Sequence, residues 1–388
     1  MRGPASHPAR WPAFLGAFAA AFDNFAMTPL VKAIALDMKV DLAQATAVAS
    51  AYFLAYGLLQ VPWGLVSERL GRVLVMRLGL IAGLIGAIAS VFASTLDQLL
   101  VARFIAGAGM ASVVPSVIAW LGEVLPADQR GRAATDMNAA YALGAASGVL
   151  GAGLLADRLG WAWGFGASGV LAAFSLVGMN FLLAPPRPAV PGELRQALRV
   201  PAVRALAVIA LVEGAVLFGL FVFLAPTLLA SGASAGLTGG LIAAYGVSVV
   251  IWARVSAWLS GRIPLLRAMS FGGALLVIGW AAVAISPAPA GVLTAAVLMG
   301  ATIVFFHANL QVWASQAAPH ARGPAIAMFS GSLFVGASLG TALARPLFAA
   351  GEVRWLFAIG AALAAVVVVG AVMARLHLSP SPVGRGSG

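Results

Sequence analysis

The chain is a succession of apolar stretches, each long enough to cross a lipid bilayer, joined by loops too short to build much else. A helix rises about 1.5 Å per residue and a hydrocarbon core is about 30 Å thick, so roughly 20 apolar residues make one crossing. Such stretches fall near 11–36, 44–67, 73–93, 97–121, 134–156 and 161–184. They resume near 203–230, 236–260, 265–286, 290–313, 324–349 and 353–375. Only 9% of the residues are charged, against about 25% in ordinary soluble domains, which excludes a soluble globule, disorder, coiled coil and collagen. The expected fold class is an all-α membrane protein with twelve transmembrane helices.

Between the sixth and seventh stretches, Pro185, Pro186, Pro188 and Pro191 withhold backbone donors and are followed by Glu193, Arg195 and Arg199. This reads as a cytoplasmic linker, 185–202, between an N-terminal six-helix bundle, 1–184, and a C-terminal one, 203–388. Of the 23 basic residues, sixteen fall on the side of the termini and only Lys32, Lys39, Arg158 and Arg354 on the other, with Arg103, Arg254 and Arg345 inside spans. Positive loops stay inside, so both termini are expected in the cytoplasm of a multi-pass protein of a cell membrane, the inner one in a bacterium. A net charge of +11 here serves topology beside anionic lipid, and no nucleic-acid partner is expected. With no cysteine, structural disulfides, thiolate metal sites and cysteine nucleophiles are excluded together. Trp11, Trp63, Trp120, Trp161 and Trp355 stand near the interfaces and read as aromatic-belt anchors.

The two halves repeat. At an offset of 190, Gly261-Arg262 falls on Gly71-Arg72 and Glu213 on Asp23; at 192, Arg322-Gly323 falls on Arg130-Gly131, Gly336 on Gly144 and Gly340 on Gly148. Parallel duplicates of six spans place a substrate site at their interface near the bilayer midplane.

Between spans two and three the chain reads Gly64-Leu-Val-Ser-Glu68-Arg69-Leu-Gly71-Arg72. This resembles the cytoplasmic signature of the major facilitator superfamily, G-x-L-A-D-R-x-G-R-K, with Glu68 for the usual Asp and Val73 for the last base. Arg103 in span four, with Gly107 and Gly109, resembles the fourth-span motif of proton-linked members. Glu123 through Arg130-Gly131 resembles the loop that follows. Span five, with Gly144, Gly148, Gly151 and Gly153, is similar to the antiporter signature, but Val149 replaces its proline and Ala152 a glycine. The resemblance implies the major facilitator fold of two pseudo-symmetric six-helix bundles, nearest to the twelve-helix drug and metabolite proton antiporters. It also implies a conformational latch built from Gly64, Glu68, Arg69, Gly71, Arg72, Glu123 and Arg130, with Glu68 at the start of span eleven near 323–326. Gly144, Gly148 and Gly151 serve either that signature or close helix packing.

Asp23 lies twelve residues into its span, about 18 Å from the near surface, where an ionised carboxylate needs a partner or a proton. Arg103 is the base in the middle of a first-half span and the natural partner. Glu213 holds the equivalent place in span seven but faces no equivalent arginine, which leaves it free to titrate or to attract a cation, with Arg254 as an alternative partner. Asp23, Arg103 and Glu213 are therefore the proton-coupling candidates. Asn24, Tyr52, Tyr56, Gln60, Tyr141, Tyr245, His307, Asn309 and Gln311 are candidate cavity-lining groups, the last three forming the densest polar cluster of the second half.

The function expected from this reading is secondary active transport of a small organic molecule by alternating access, as proton-coupled export. Proton symport for uptake is the alternative. A multi-span membrane enzyme would need a metal-binding or nucleophilic constellation, and an ATPase a Walker sequence; neither is present in the sequence. No metal or cofactor is called for. The expected partners are a small-molecule substrate, protons and the bilayer, with the chain acting as a monomer.

Overall fold

Inside lipid, only the helical hydrogen-bond ladder satisfies every backbone donor and acceptor of a single segment, so each apolar stretch winds into a helix. The computed structural model describes residues 9–185, 194–259, 262–318 and 321–378. Twelve spans, numbered in chain order, run Trp11–Asp37, Leu42–Leu70, Arg72–Val91, Leu96–Val124, Arg132–Leu159, Ala162–Phe181, Pro201–Ala230, Gly236–Leu259, Leu265–Ile285, Pro289–Ala317, Arg322–Ala349 and Val353–Leu378. Several are longer than the apolar stretches alone, because the helices continue past the hydrocarbon core into polar residues. The expected linker contributes a short helix, Leu194–Arg199. Pro186, Pro188, Pro191 and Glu193 lie outside the described residues, as do Arg2, Arg187, Gly261 and Arg385.

The packing of the halves is pseudo-symmetric. Span 1 packs on 5 and 6, span 3 on 4 and 6, and span 2 on 4; six spans further on, span 7 packs on 11 and 12, span 9 on 10 and 12, and span 8 on 10. The halves meet where span 2 crosses 11 and span 5 crosses 8. Spans 1 and 7 are the most enclosed, with 83% and 72% of their apolar windows buried against 33% in span 12, so they line the centre.

Four spans are interrupted near their middle. Span 1 breaks at the 3-10 turn Thr28–Leu30, which holds Pro29, and span 4 breaks between Met110 and Val113. Span 7 carries a π-turn at Ala215–Gly219 and span 10 another at Ile303–His307. Such single-turn bulges recur at functional positions because they re-aim the side chains beside them.

The glycines of the repeat lie at matching helix contacts. A Cβ at Gly144 would sit 2.3 Å from the Phe18 carbonyl oxygen, and one at Gly148 2.5 Å from that of Phe22, so span 5 rides directly on the span 1 backbone. In the second half, a Cβ at Gly336 would meet the Leu211 carbonyl oxygen at 1.8 Å and one at Gly340 that of Ala215 at 2.5 Å. At Gly151 the nearest atom, on the Phe22 ring, is 3.6 Å away, so that position tolerates a methyl group. Gly336→Ala is accordingly expected to lower stability by about 1–3 kcal/mol, the usual range for overpacking. Gly151→Ala should be close to neutral. Thermal unfolding of the purified variants compares them directly.

Two of the tryptophans depart from the aromatic-belt expectation. Trp63 donates its indole N–H to the Ala108 carbonyl at 2.6 Å, and Trp120, fully buried, donates to that of Leu183 at 2.7 Å. A buried indole needs an acceptor, and here it ties spans together rather than facing headgroups.

Candidate functional site

Asp23 and Arg103 meet in the interior of the first half. Arg103 Nη1 lies 3.0 Å from Asp23 Oδ1, and Nη2 donates to the Asp23 backbone carbonyl at 3.4 Å; neither residue is more than 1% exposed. The guanidinium is held between two rings, 4.7 Å from the centre of Tyr52 and 4.5 Å from that of Phe165. Burial of either charge alone would be costly, so each fixes the other. Asp23 Oδ2 has no hydrogen-bond partner among the described residues.

A second acid–base pair stands in the other half. Glu213 Oε1 lies 3.1 Å from His307 Nδ1, with Glu213 fully buried and the His307 side chain 14% exposed. The expectation that Glu213 lacks a fixed base is corrected here. Its partner is His307, one of the candidate cavity groups, whereas Arg254 is exposed. Depth could have found it: His307 is ten residues from the end of span 10 and Glu213 twelve from the start of span 7 on the same face, about 15 and 18 Å. The π-turns adjoin this pair on both sides, one beginning two residues after Glu213 and the other ending on His307.

The polar cluster expected around His307 does not converge. Asn309 donates back to the Phe305 carbonyl at 2.8 Å, inside its own helix. Residues two apart on a helix point to opposite sides, and only Gln311, one turn beyond His307, shares its face.

The remaining cavity candidates lie where the halves close on each other. Asn24 donates to the Tyr141 hydroxyl at 3.4 Å, and Tyr56, Gln60 and Tyr245 are buried. Phe25 of the first half sits 5.7 Å from Phe221 and 5.6 Å from Tyr245 of the second, and Tyr56 sits 4.3 Å from Phe334. These rings shut the midplane.

Both ends are also shut. At the face bearing the chain termini, a Cβ on Gly323 would sit 2.8 Å from Glu68 Oε1, so that carboxylate rests on the first turn of span 11, where unpaired N–H groups favour negative charge. Arg72 lies 3.9 Å from Glu68 and 2.9 Å from Glu123. Gly71 ends span 2 at φ +94°, a conformation side chains resist, and a Cβ on Gly64 would lie 3.3 Å from Ala327. Arg69 is exposed. Arg130 departs from the expected latch: it donates to the Leu125 carbonyl at 2.9 Å and so caps the end of span 4.

The opposite face carries a contact that sequence reading missed. Asp157, at the end of span 5, accepts the Gly236 N–H at the start of span 8 at 2.7 Å. Lys32 donates to the Leu229 carbonyl at 3.3 Å, and Arg345 and Ser338 of span 11 both reach Ser50 of span 2. An acid on the last turn of one half thus meets the first turn of a helix of the other half at each face.

The model of the Major Facilitator Superfamily matches residues 13–323, and the chain belongs to that family. It is similar to the uncharacterized MFS-type transporter YybF of Bacillus subtilis, 29% identical over 46% of this chain and 45% of that one. It is also similar to the uncharacterized MFS-type transporter Rv1250 of Mycobacterium tuberculosis, 25% identical over 47% of this chain and 31% of that one. The match therefore spans less than half the length of these curated relatives. Among solved structures, the peptide transporter POT in complex with sulfate superposes with a TM-score of 0.79 at 16% identity, covering 97% of this chain and 96% of that one. Membership of that family marks a carrier rather than a catalyst.

These likenesses correct the expectation of proton-coupled export by a relative of the drug and metabolite antiporters, since solved chains that superpose over nearly the whole length include peptide transporters. The physical reason lies in span 5. Two of its spaced glycines, Gly144 and Gly148, are accounted for by their contacts with the span 1 backbone.

Proposed function

We propose that the chain takes up a small organic solute together with protons, by alternating access between halves 1–184 and 203–388, with both termini and the linker 185–202 in the cytoplasm. The observation that carries this reading is that each acid deep inside a span, Asp23 and Glu213, has its own base beside it. With both acids ionised and His307 carrying a proton on each ring nitrogen, each pair is neutral and the empty carrier can close. Protonating an acid strands its base as an unpaired cation inside the protein, which opposes closure. A solute that satisfies that base restores closure, so proton and solute cross together or not at all. In exchange the rule would be the reverse, with either one sufficient.

The test is transport in proteoliposomes that are acidic outside, screened with carboxylates, dipeptides and sugars while internal pH is read. Solute accumulation with internal acidification is expected. Solute leaving as protons enter, or saturable transport without proton flux, defeats the proposal.

In this mechanism Glu68 and Asp157 act as opposed clamps. Each stabilises its closed end by about 0.3–1 kcal/mol, up to about 2 when partly buried. Glu68→Gln is expected to populate opening at the cytoplasmic face and Asp157→Asn at the other. Because the chain has no cysteine, paired cysteines can be introduced freely for spin-label distances. Distance distributions unchanged in both variants would remove the clamps from the mechanism.

A further inference from the structure

The two halves meet at the midplane largely through aromatic rings. Phe25 touches Phe218, Phe221 and Tyr245, and Phe334 lies 4.3 Å from Tyr56 and stacks on Phe218 at 5.7 Å and 16°. Phe218 also meets His307 edge to face at 6.3 Å, and the far side of that imidazole lies 5.7 Å from Phe329. The one partly exposed member of either charged pair therefore borders the ring cluster. Arg103 does not offer itself in this way, being fully buried between Tyr52 and Phe165.

We infer that the solute is a small aromatic monocarboxylate, its ring replacing the ring–ring contacts between the halves and its carboxylate taking His307 from Glu213. This rests on the uptake reading and supplies its substrate. Charge decides the class. Taken as Glu213 carboxylate with His307 imidazolium, the pair is neutral, and adding one proton to Glu213 and one carboxylate to His307 leaves it neutral. A sugar or a zwitterionic peptide carried with one proton would bury a net positive charge, and an organic cation two, each at high desolvation cost. The ring selects by shape. When the halves part, Phe25 and Tyr56 on one side and Phe218, Tyr245 and Phe334 on the other lose their contacts across the interface, and a planar ring between them restores offset and edge contacts to both.

The other charged side chains buried among the described residues are Asp23 and Arg103, already paired, and Glu68 at the end of span 2. The polar groups at the ring cluster are the phenols of Tyr56 and Tyr245, with the Asn24–Tyr141 hydrogen bond beside Phe25 in the sequence of span 1. None of these is a second carboxylate to compete for His307. Because the incoming carboxylate displaces that of Glu213 from His307, solute binding should be accompanied by proton uptake and so strengthen as pH falls.

The experiment titrates the full chain in nanodiscs with 3-phenylpropionate, its amide, 3-cyclohexylpropionate, phenylethylammonium and the dipeptide Ala-Ala, at pH 6 and pH 8. Phenylpropionate is expected to bind saturably, at least tenfold tighter at pH 6 and at least threefold tighter than its cyclohexyl analogue. His307→Gln should cut the preference for the acid over the amide tenfold or more while amide binding persists, which reports that the variant is folded. Should that variant fail to fold, Phe218→Leu should weaken acid and amide alike. Binding of the dipeptide or the ammonium without phenylpropionate, equal affinity for the cyclohexyl analogue, or an unchanged acid preference in His307→Gln overturns the inference. No gradient is present in this assay. Phenylpropionate that binds as expected yet is not accumulated under a pH gradient counts against the uptake reading alone, and proton-driven accumulation of another solute by a chain that does not bind phenylpropionate counts against this inference alone.

Discussion

Arg103→Met is expected to be the most damaging single substitution in the first half, lowering stability by about 3–5 kcal/mol and abolishing gradient-driven transport. The methionine fills much of the space between Tyr52 and Phe165, so the loss is one of charge rather than volume. It leaves the Asp23 carboxylate buried at 1% exposure with no cation beside it. Adding Asp23→Asn to the same chain removes the stranded charge and should return most of the lost stability without returning transport. Thermal unfolding and proteoliposome uptake, measured on the single and double variants, separate the two effects. A double variant as unstable as Arg103→Met would mean the arginine acts through packing, and one that still accumulates solute under a pH gradient would remove the pair from coupling.

Glu213→Gln is expected to reduce proton-driven accumulation tenfold or more while leaving gradient-free exchange of solute. The amide keeps an oxygen facing His307 Nδ1, 3.1 Å away in the native pair, so the helix contact survives while the proton site does not. The two assays isolate coupling from the conformational cycle. Full accumulation in the variant would show that Glu213 carries no transported proton, and loss of exchange as well would assign the glutamate to structure.

How far the sequence disclosed this arrangement depends on whether a residue's role follows the repeat. Spans were legible because the bilayer imposes one length on all of them. Gly336 and Gly340 were legible because they echo Gly144 and Gly148 at the same helix crossing. Contact of Asp23 with Arg103 could be read because each is a lone charge deep in a span. His307 breaks the repeat: the base of the second half lies far along span 10 from the position matching Arg103, beyond a π-turn that alters the facing of the residues around it. Asn309 misleads for a different reason, since nearness in sequence is not nearness in direction on a helix. Asp157 was hidden because an acid at the end of a span reads as the boundary of the membrane, and only the neighbouring half reveals what it touches.

The mid-span interruptions bear on what heavy water would see. Spans 1, 4, 7 and 10 are each two short rods joined at a joint, while spans 3, 6, 9 and 12 beside them run as single rods through the same depth. Amide protons at Ala215–Gly219 and Ile303–His307 should exchange for deuterium well ahead of those in span 9 or span 12, although all lie at similar remove from bulk solvent. Jointed rods can also bend one end at a time. The half of span 7 that follows its joint can swing away from span 1 while the half holding Glu213 stays seated, so water can be admitted to one side of the carboxylate before the two bundles have moved as bodies.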